Sequence, residues 1–175
     1  MVVEALAEQW DARWRIESRF KARLAKACRA GNRVFLCQPQ TYMNLSGEAV
    51  GALTSYYQIS HDRLIVIVDD ADLPLGTVRL RGGGGCGGHH GLESIEQYLG
   101  TQDYARIRLG IGRNSQTERQ IRDYVLSGFL PEEAKIWQKV VDTASRQTEC
   151  WLAEGCQKAM NRFNGSVEIA VKKET

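Results

Sequence analysis

The chain has 175 residues, 43% hydrophobic and 25% charged, which is long enough to bury a sizeable core and too mixed in composition for disorder. No apolar run reaches the length of a membrane span, and five cysteines without a CxxC pair argue against a disulfide framework or a structural zinc site. A net charge of +2 does not by itself point to nucleic acid.

The opening, MVVEALAEQW, has no basic flank and no small-residue cleavage site, so it does not read as a secretory signal, and cytoplasm is expected. Val2, Val3, Leu6 and Trp10 have helical spacing. Basic residues then crowd the chain: Arg13, Arg15, Arg19, Lys21, Arg23 and Lys26. Phe20, Ala22 and Leu24 alternate with them as a half-buried strand. Gly31-Asn32 punctuates, and RVFLCQP is a second strand ended by Pro39, together an antiparallel hairpin.

MNLSGEAVGALTSYYQI reads as a helix with Leu45, Ala49, Ala52, Leu53 and Tyr56 on its buried face. DRLIVIVDD is continuously apolar before its acids, as a strand covered on both faces would be. TVRLR is a short strand, and six of the seven residues from Gly82 to Gly88 are glycine. Leu92, Ile95 and Leu99 then mark a helix that Gly100 ends. YARIRLGIG alternates as a strand and Thr117 to Tyr124 suits a short helix. Pro131 opens a long helix carrying Ile136, Val140, Ala144, Thr148 and Trp151 on one side. The tail after about Asn164 is polar and expected to be loose. Strands alternating with helices imply one three-layer α/β/α domain over 1–175, around a mixed, mainly parallel sheet.

Asp69 and Asp70 end the apolar strand, at the edge where open α/β sheets bind ligands. An acid there could orient a histidine, bind Mg²⁺ or cap the following turn, and the residues alone leave all three open. Asn44 stands at a strand-to-helix junction, suited to an N-cap. Flanked by Tyr42 and Met43, its amide also suits reading a peptide or ester group. The glycine run is not a Walker A loop, since no Gly-Lys-Ser/Thr closes it. It is either a close-approach loop for an anion or a flexible hinge. Cys86, His89 and His90 supply only three metal ligands from one tight loop, so no metal is expected.

In order, QTYMNLSGEAV, VDDADLPLGTVRLR, GGCGGHHGL and YARIRLGIGR resemble the bacterial-type peptidyl-tRNA hydrolase family, over about residues 1–163. The resemblance implies a cytoplasmic monomer, without cofactor, that cleaves the ester between a peptide and tRNA. It implies that Asn44 holds the substrate, that Tyr42 and Met43 line the pocket, and that Asp69 orients the catalytic histidine. Gly87, Gly88, His89 and His90 would form one lip of the crevice, with the following helix offering its positive end, and Arg81 and Arg108 would receive tRNA phosphates. Two departures stand out. His90 occupies a position where the family usually has asparagine. The family's first strand, its Gly-Asn-Pro-Gly turn and the Thr-Arg-His-Asn segment with the general base have no counterpart in this sequence. Without that histidine the chain as written is expected to be impaired, and the missing first strand, central in the family, would leave its neighbours with unpaired backbone groups. Two alternatives are a non-catalytic RNA-binding relative, similar to chloroplast splicing factors, and an inert truncated fragment.

Overall fold

The computed structural model describes residues 1–112 and 131–167. The expected helix at Thr117–Tyr124 lies outside the described residues. In chain order the elements are α1 (Val2–Gln9), β1 (Arg15–Glu17), β2 (Ala22–Arg29), β3 (Asn32–Pro39), α2 (Ser46–Tyr57), β4 (Ile65–Asp70) and β5 (Thr77–Arg81). They continue with α3 (His90–Leu99), β6 (Ala105–Gly110), α4 (Pro131–Glu154), α5 (Cys156–Phe163) and β7 (Gly165–Ser166). None of these helices is long and apolar enough to cross a membrane.

The hairpin forms as the alternation requires, but its turn falls one residue early. Ala30 and Gly31 take φ of 48° and 73°, the mirror-image turn whose twist suits two paired strands. β2 and β3 pair from Arg29↔Asn32 to Ala22↔Pro39, and β1 adds an antiparallel edge that the sequence did not reveal. A second sheet has the order β4-β6-β5-β7. It is mixed, as expected, but "mainly parallel" needs correcting, because among the described residues β4–β6 is its one parallel ladder and β5 runs antiparallel to β6 and to β7. The reason is the short Pro74–Gly76 turn, which returns β5 without a crossover helix.

Three layers result. Ile65 and Ile67 of β4, with Ala105, Ile107 and Leu109 of β6, face the core formed with α1, α4 and α5. Val66 and Val68 face the other side, against Val50, Leu92, Ile95 and Tyr104. The buried face of α4 is the one expected, with Val140, Ala144 and Thr148 inside. That of α2 is not: Ala52 is exposed, Tyr56 is 57% exposed, and the helix buries Ser46, Gly47, Ala49, Val50, Leu53 and Thr54. Two partners turn it. The hairpin takes Ala49 and Leu53, while α3 presses so close that a Cβ on Gly47 would sit 2.2 Å from the Ser94 carbonyl oxygen.

The tail expected to be loose from Asn164 is held at its start. Gly165 and Ser166 pair with β5, and Val167 is buried. The Asn164 side chain acts as a piece of strand: its Oδ1 accepts from the Leu80 amide at 2.7 Å and from Gln147 at 2.9 Å, and its Nδ2 donates to the Leu80 carbonyl at 3.1 Å. Asn164→Ala should therefore destabilise the fold by about 2–3 kcal/mol, measured as a lower urea midpoint with an unchanged slope. A midpoint equal to wild type would refute this bracing role.

The second edges of β3 and β4 have no ladder partner among the described residues. Between them lies a cavity of about 1260 Å³ lined by Val34 and Leu36 of β3, Ile65 and Ile67 of β4, and Val2 and Leu6 of α1. Its effect shows in burial: all six residues of β4 are only half-buried, whereas five of six in β6 are buried. Arg63 donates to Asn32 at 2.7 Å, which joins the starts of the two strands. Their far ends meet around His89 and Gly91, so β3 and β4 run the same way.

Candidate active site

The shared end of β3 and β4 is where the sequence-predicted residues collect. Asp69 reaches it because β4 is apolar until its last two residues. Asn44 reaches it on a 3-10 turn, Met43–Leu45, that links β3 to α2. The turn is fixed by the Ser46 hydroxyl, which donates to the Met43 carbonyl at 2.9 Å. Asn44 is not a helix cap: Leu45 occupies that position for α2, and the exposed Asn44 amide has no hydrogen-bond partner among the described residues. That leaves its donor and acceptor available to a ligand. Met43 packs against the start of α3, where a Cβ on Gly91 would fall 2.7 Å from its sulfur. Tyr42 is 78% exposed beside it. Met43, Asp69 and His89 line the mouth of the cavity that continues between β3 and β4.

His89 carries more of the site than the sequence suggested. It is the N-cap of α3, with Nδ1 accepting from the Gly91 and Leu92 amides at 3.1 and 3.2 Å. The positive end of α3 is thus closed by a side chain and not offered to an anion, contrary to expectation. With Nδ1 so occupied, neutral His89 carries its proton on Nε2, which lies a loose 3.9 Å from Asp69 Oδ1. This N–H, aimed at the carboxylate, holds Asp69 below its ordinary value of 3.8, and burial works in the opposite direction. Asp69 therefore does have an imidazole before it, but one positioned as a donor. His90 turns outward, 77% exposed, with Nδ1 3.4 Å from Glu93. His61 lies in a 3-10 turn at the opposite end of β4.

Because the folded value of Asp69 is depressed, its stabilising contribution is complete above about pH 3.8 and is lost as pH falls through the folded value. Carbon-detected titration of the Asp69 carboxyl should give a midpoint below 3.8 that rises in His89→Ala. A midpoint that stays put in that variant would rule out the pairing.

The glycine loop is clamped rather than hinged. Arg106 and Arg108 project from the same face of β6 and both donate to the Gly85 carbonyl, at 3.1 and 2.9 Å. Arg108 also donates to the Cys86 carbonyl and pairs with Asp70 at 3.2 Å. Gly87 has φ of 60°, and a Cβ there would lie 2.9 Å from the Arg108 guanidinium, so glycine is required. Gly88 follows at φ 78° and leads into the cap. Arg106, 1% exposed, pairs with Glu96 at 3.1 Å and donates to the Gln102 carbonyl. Sequence reasoning missed this residue. Its signal was an arginine on an otherwise buried strand face, which demands a buried partner.

The two expected phosphate residues separate. Arg108 is one strand from Asp69, with its side chain committed to Asp70 and the loop. Arg81 is two strands from β4, level with Val66 through Arg106. It is therefore about 10 Å along and about 10 Å across from Asp69, and does not converge on the Asp69–Asn44 end. All five cysteines are unbridged, and burial pushes the Cys37 thiol up to about 12. Among the described residues no three His, Cys, Asp or Glu side chains gather as a metal site.

The family model described as peptidyl-tRNA hydrolase matches residues 1–173. A Synechococcus sp. (strain JA-2-3B'a(2-13)) protein named peptidyl-tRNA hydrolase is 41% identical over 164 residues, 94% of this chain and 73% of the relative. The Bacillus subtilis protein of that name is 40% identical over 167 residues, 95% of this chain and 88% of the relative. The crystal structure of peptidyl-tRNA hydrolase from Acinetobacter baumannii superimposes with a TM-score of 0.86 at 29% identity, covering 95% of this chain and 84% of that one. Sequence over nearly the whole length and fold agree: this chain belongs to the peptidyl-tRNA hydrolase family, whose members are ester hydrolases.

Proposed function

We propose that this chain is a cytoplasmic, monomeric scaffold for cleaving the ester between a peptide and tRNA, working without a metal or cofactor. The observation that carries the reading is the cluster at the ends of β3 and β4. Met43, Asp69 and His89 line one cavity mouth, and the unpartnered, exposed Asn44 amide follows Met43 on the turn after β3. Asn44 hydrogen-bonds the substrate beside the ester, and Tyr42 and Met43 cover its apolar part. Gly87, Gly88 and the two histidines after them bound the other side. Arg108 holds that loop, and Arg81 meets RNA further out.

Hydrolysis requires a base that takes a proton from water as its oxygen attacks the ester carbonyl and the ribose oxygen leaves. We infer that none of the chain's three histidines does this. His89 Nδ1 is occupied by two amides, His90 faces Glu93 in solvent, and His61 is at the wrong end of β4. The base enters instead on a strand lying between β3 and β4. Two edges that run the same way and lack a partner among the described residues suit one parallel strand, and its carboxyl end would emerge beside Asp69. Asp69, already polarised as an acceptor, would then orient that second imidazole and stabilise its charged form.

The test is release of the N-acetyl-aminoacyl group from tRNA by residues 1–175, compared with the chain lengthened by such a strand and a histidine. Release by the longer chain alone supports the reading. Tight RNA binding without cleavage by either form would favour a non-catalytic RNA-binding relative.

A further inference from the structure

A second surface lies at the far end of α2, away from Asn44. Four rings form one continuous cluster. Phe20 and Tyr56 have centroids 5.5 Å apart, Tyr56 and Tyr57 4.9 Å, and Tyr57 and Phe35 4.2 Å. Three cations lie over them: Arg19 is 4.6 Å from the Tyr56 centroid, Lys26 5.6 Å from Tyr57, and Arg33 5.6 Å from Phe35. All three cations are exposed, as is Tyr56. Neighbouring Lys21 is neutralised by Glu48 at 2.6 Å. By contrast, neither a carboxylate within 4 Å nor a side-chain hydrogen bond is found for Arg19, Lys26 or Arg33 among the described residues.

We infer that this cation–aromatic row is a second contact for the RNA body of the substrate, separate from the crevice. The inference rests on the functional reading above. Three uncompensated charges held against ring faces cannot be explained by folding, since exposed cation–π pairs contribute only about 0.5–1 kcal/mol each and leave the charge in water. They match a polyanion with stackable bases: the guanidinium and ammonium groups meet phosphates, and the exposed part of the Tyr56 ring takes a base or ribose edge. Distance fits as well. α2 has 12 residues and starts beside Asn44, so its far end is about 18 Å from the crevice. An RNA fixed at the crevice by its acceptor end reaches that far, whereas the terminal nucleotide alone does not. An acidic protein segment would satisfy the charges but has no use for the exposed ring.

The test uses the full 175-residue chain and two uncleavable ligands carrying an amide in place of the ester. One is an intact N-acetyl-aminoacyl tRNA and the other an acceptor fragment of only the last few nucleotides. With Arg19→Glu, Lys26→Glu and Arg33→Glu combined, affinity for the intact tRNA should fall at least about tenfold. The slope of log affinity against log salt should flatten by about two to three, while the fragment binds as before. Tyr56→Ala should weaken tRNA binding by about threefold or more and Tyr56→Phe should not, because stacking needs only the ring. Circular dichroism and thermal melts identify any variant that fails to fold, and single Arg19→Gln and Arg33→Gln changes then replace the triple. Unchanged tRNA affinity and salt slope, with wild-type binding of both ligands, would overturn this inference alone. Loss of binding to an acidic peptide but not to tRNA would overturn it in favour of a protein partner. A wild-type chain that binds neither RNA would overturn the functional reading and this inference with it.

Discussion

On N-acetyl-aminoacyl-tRNA, residues 1–175 alone are expected to turn over about a hundred to ten thousand times more slowly than the same chain preceded by three added pieces: a six-residue apolar strand, a Gly-Asn-Pro-Gly turn and a Thr-Arg-His-Asn segment. The magnitude is that of a positioned general base, and the geometry gives the reason for a deficit of that size. His89 is the one imidazole within reach of Asp69, and its free nitrogen is already the acceptor for two backbone amides. To accept a proton from water it would have to abandon the cap of α3. The added strand changes stability in the same direction. It would pair with β3 and β4 along their unpaired edges, each new ladder bond contributing about 0.5–1.5 kcal/mol net, and it would fill the apolar cavity between them. The lengthened chain should therefore melt higher as well as cleave faster. A histidine-to-alanine change in the added segment should remove the rate gain and leave the melting gain. Equal rates for the short and lengthened chains would show that the base lies within these residues.

How much of this could be read from the chain depends on whether the signal was local. The apolar run before Asp69 was legible because a strand buried on both faces needs continuous hydrophobicity, and its end then fixes where a functional acid can sit. The hairpin and the buried stripe of α4 followed from period alone. The buried face of α2 did not, since 3.6-residue spacing shows that a helix has an apolar side but not that two partners share it. Gly47 and Gly51 were the overlooked cue, small because Ser94 and Tyr98 of α3 press on them. The glycine loop was half legible. Its freedom was visible in the residues, but the groups that remove that freedom, Arg106 and Arg108, come about twenty positions later and act across space. The distance of Arg81 from Asp69 was hidden for the same reason: adjacency to the loop in sequence says nothing about register, and an antiparallel β5 carries it away from the Asp69 end. The edges of β3 and β4 that have no ladder partner among the described residues leave no trace in either strand, because an unpaired backbone has the same side chains as a paired one.

Arg106→Ala is expected to lower stability by about 3–5 kcal/mol, a shift of more than 1 M in the urea midpoint for a slope of about 1–3 kcal/mol per M. The arginine is 1% exposed and its partner Glu96 12%, so removing one charge strands the other in a region that water does not reach. The Gly85 and Gln102 carbonyls lose a donor in the same step. Replacing both partners, Arg106→Met with Glu96→Leu, removes the stranded charge, and most of the stability should return, as it does when buried ion pairs give way to apolar side chains of similar size. The glycine loop should not recover with it. A methionine cannot donate to Gly85, so the clamp is left to Arg108 alone. Amide exchange at Gly84 and His89, which are held by the Gln102 and Cys86 carbonyls, should therefore stay fast in the double variant even as its urea midpoint approaches wild type. Stability and loop order recovering together would mean that the pair serves the core alone. Stability without loop order would mark Arg106 as the strut that keeps one lip of the crevice in place.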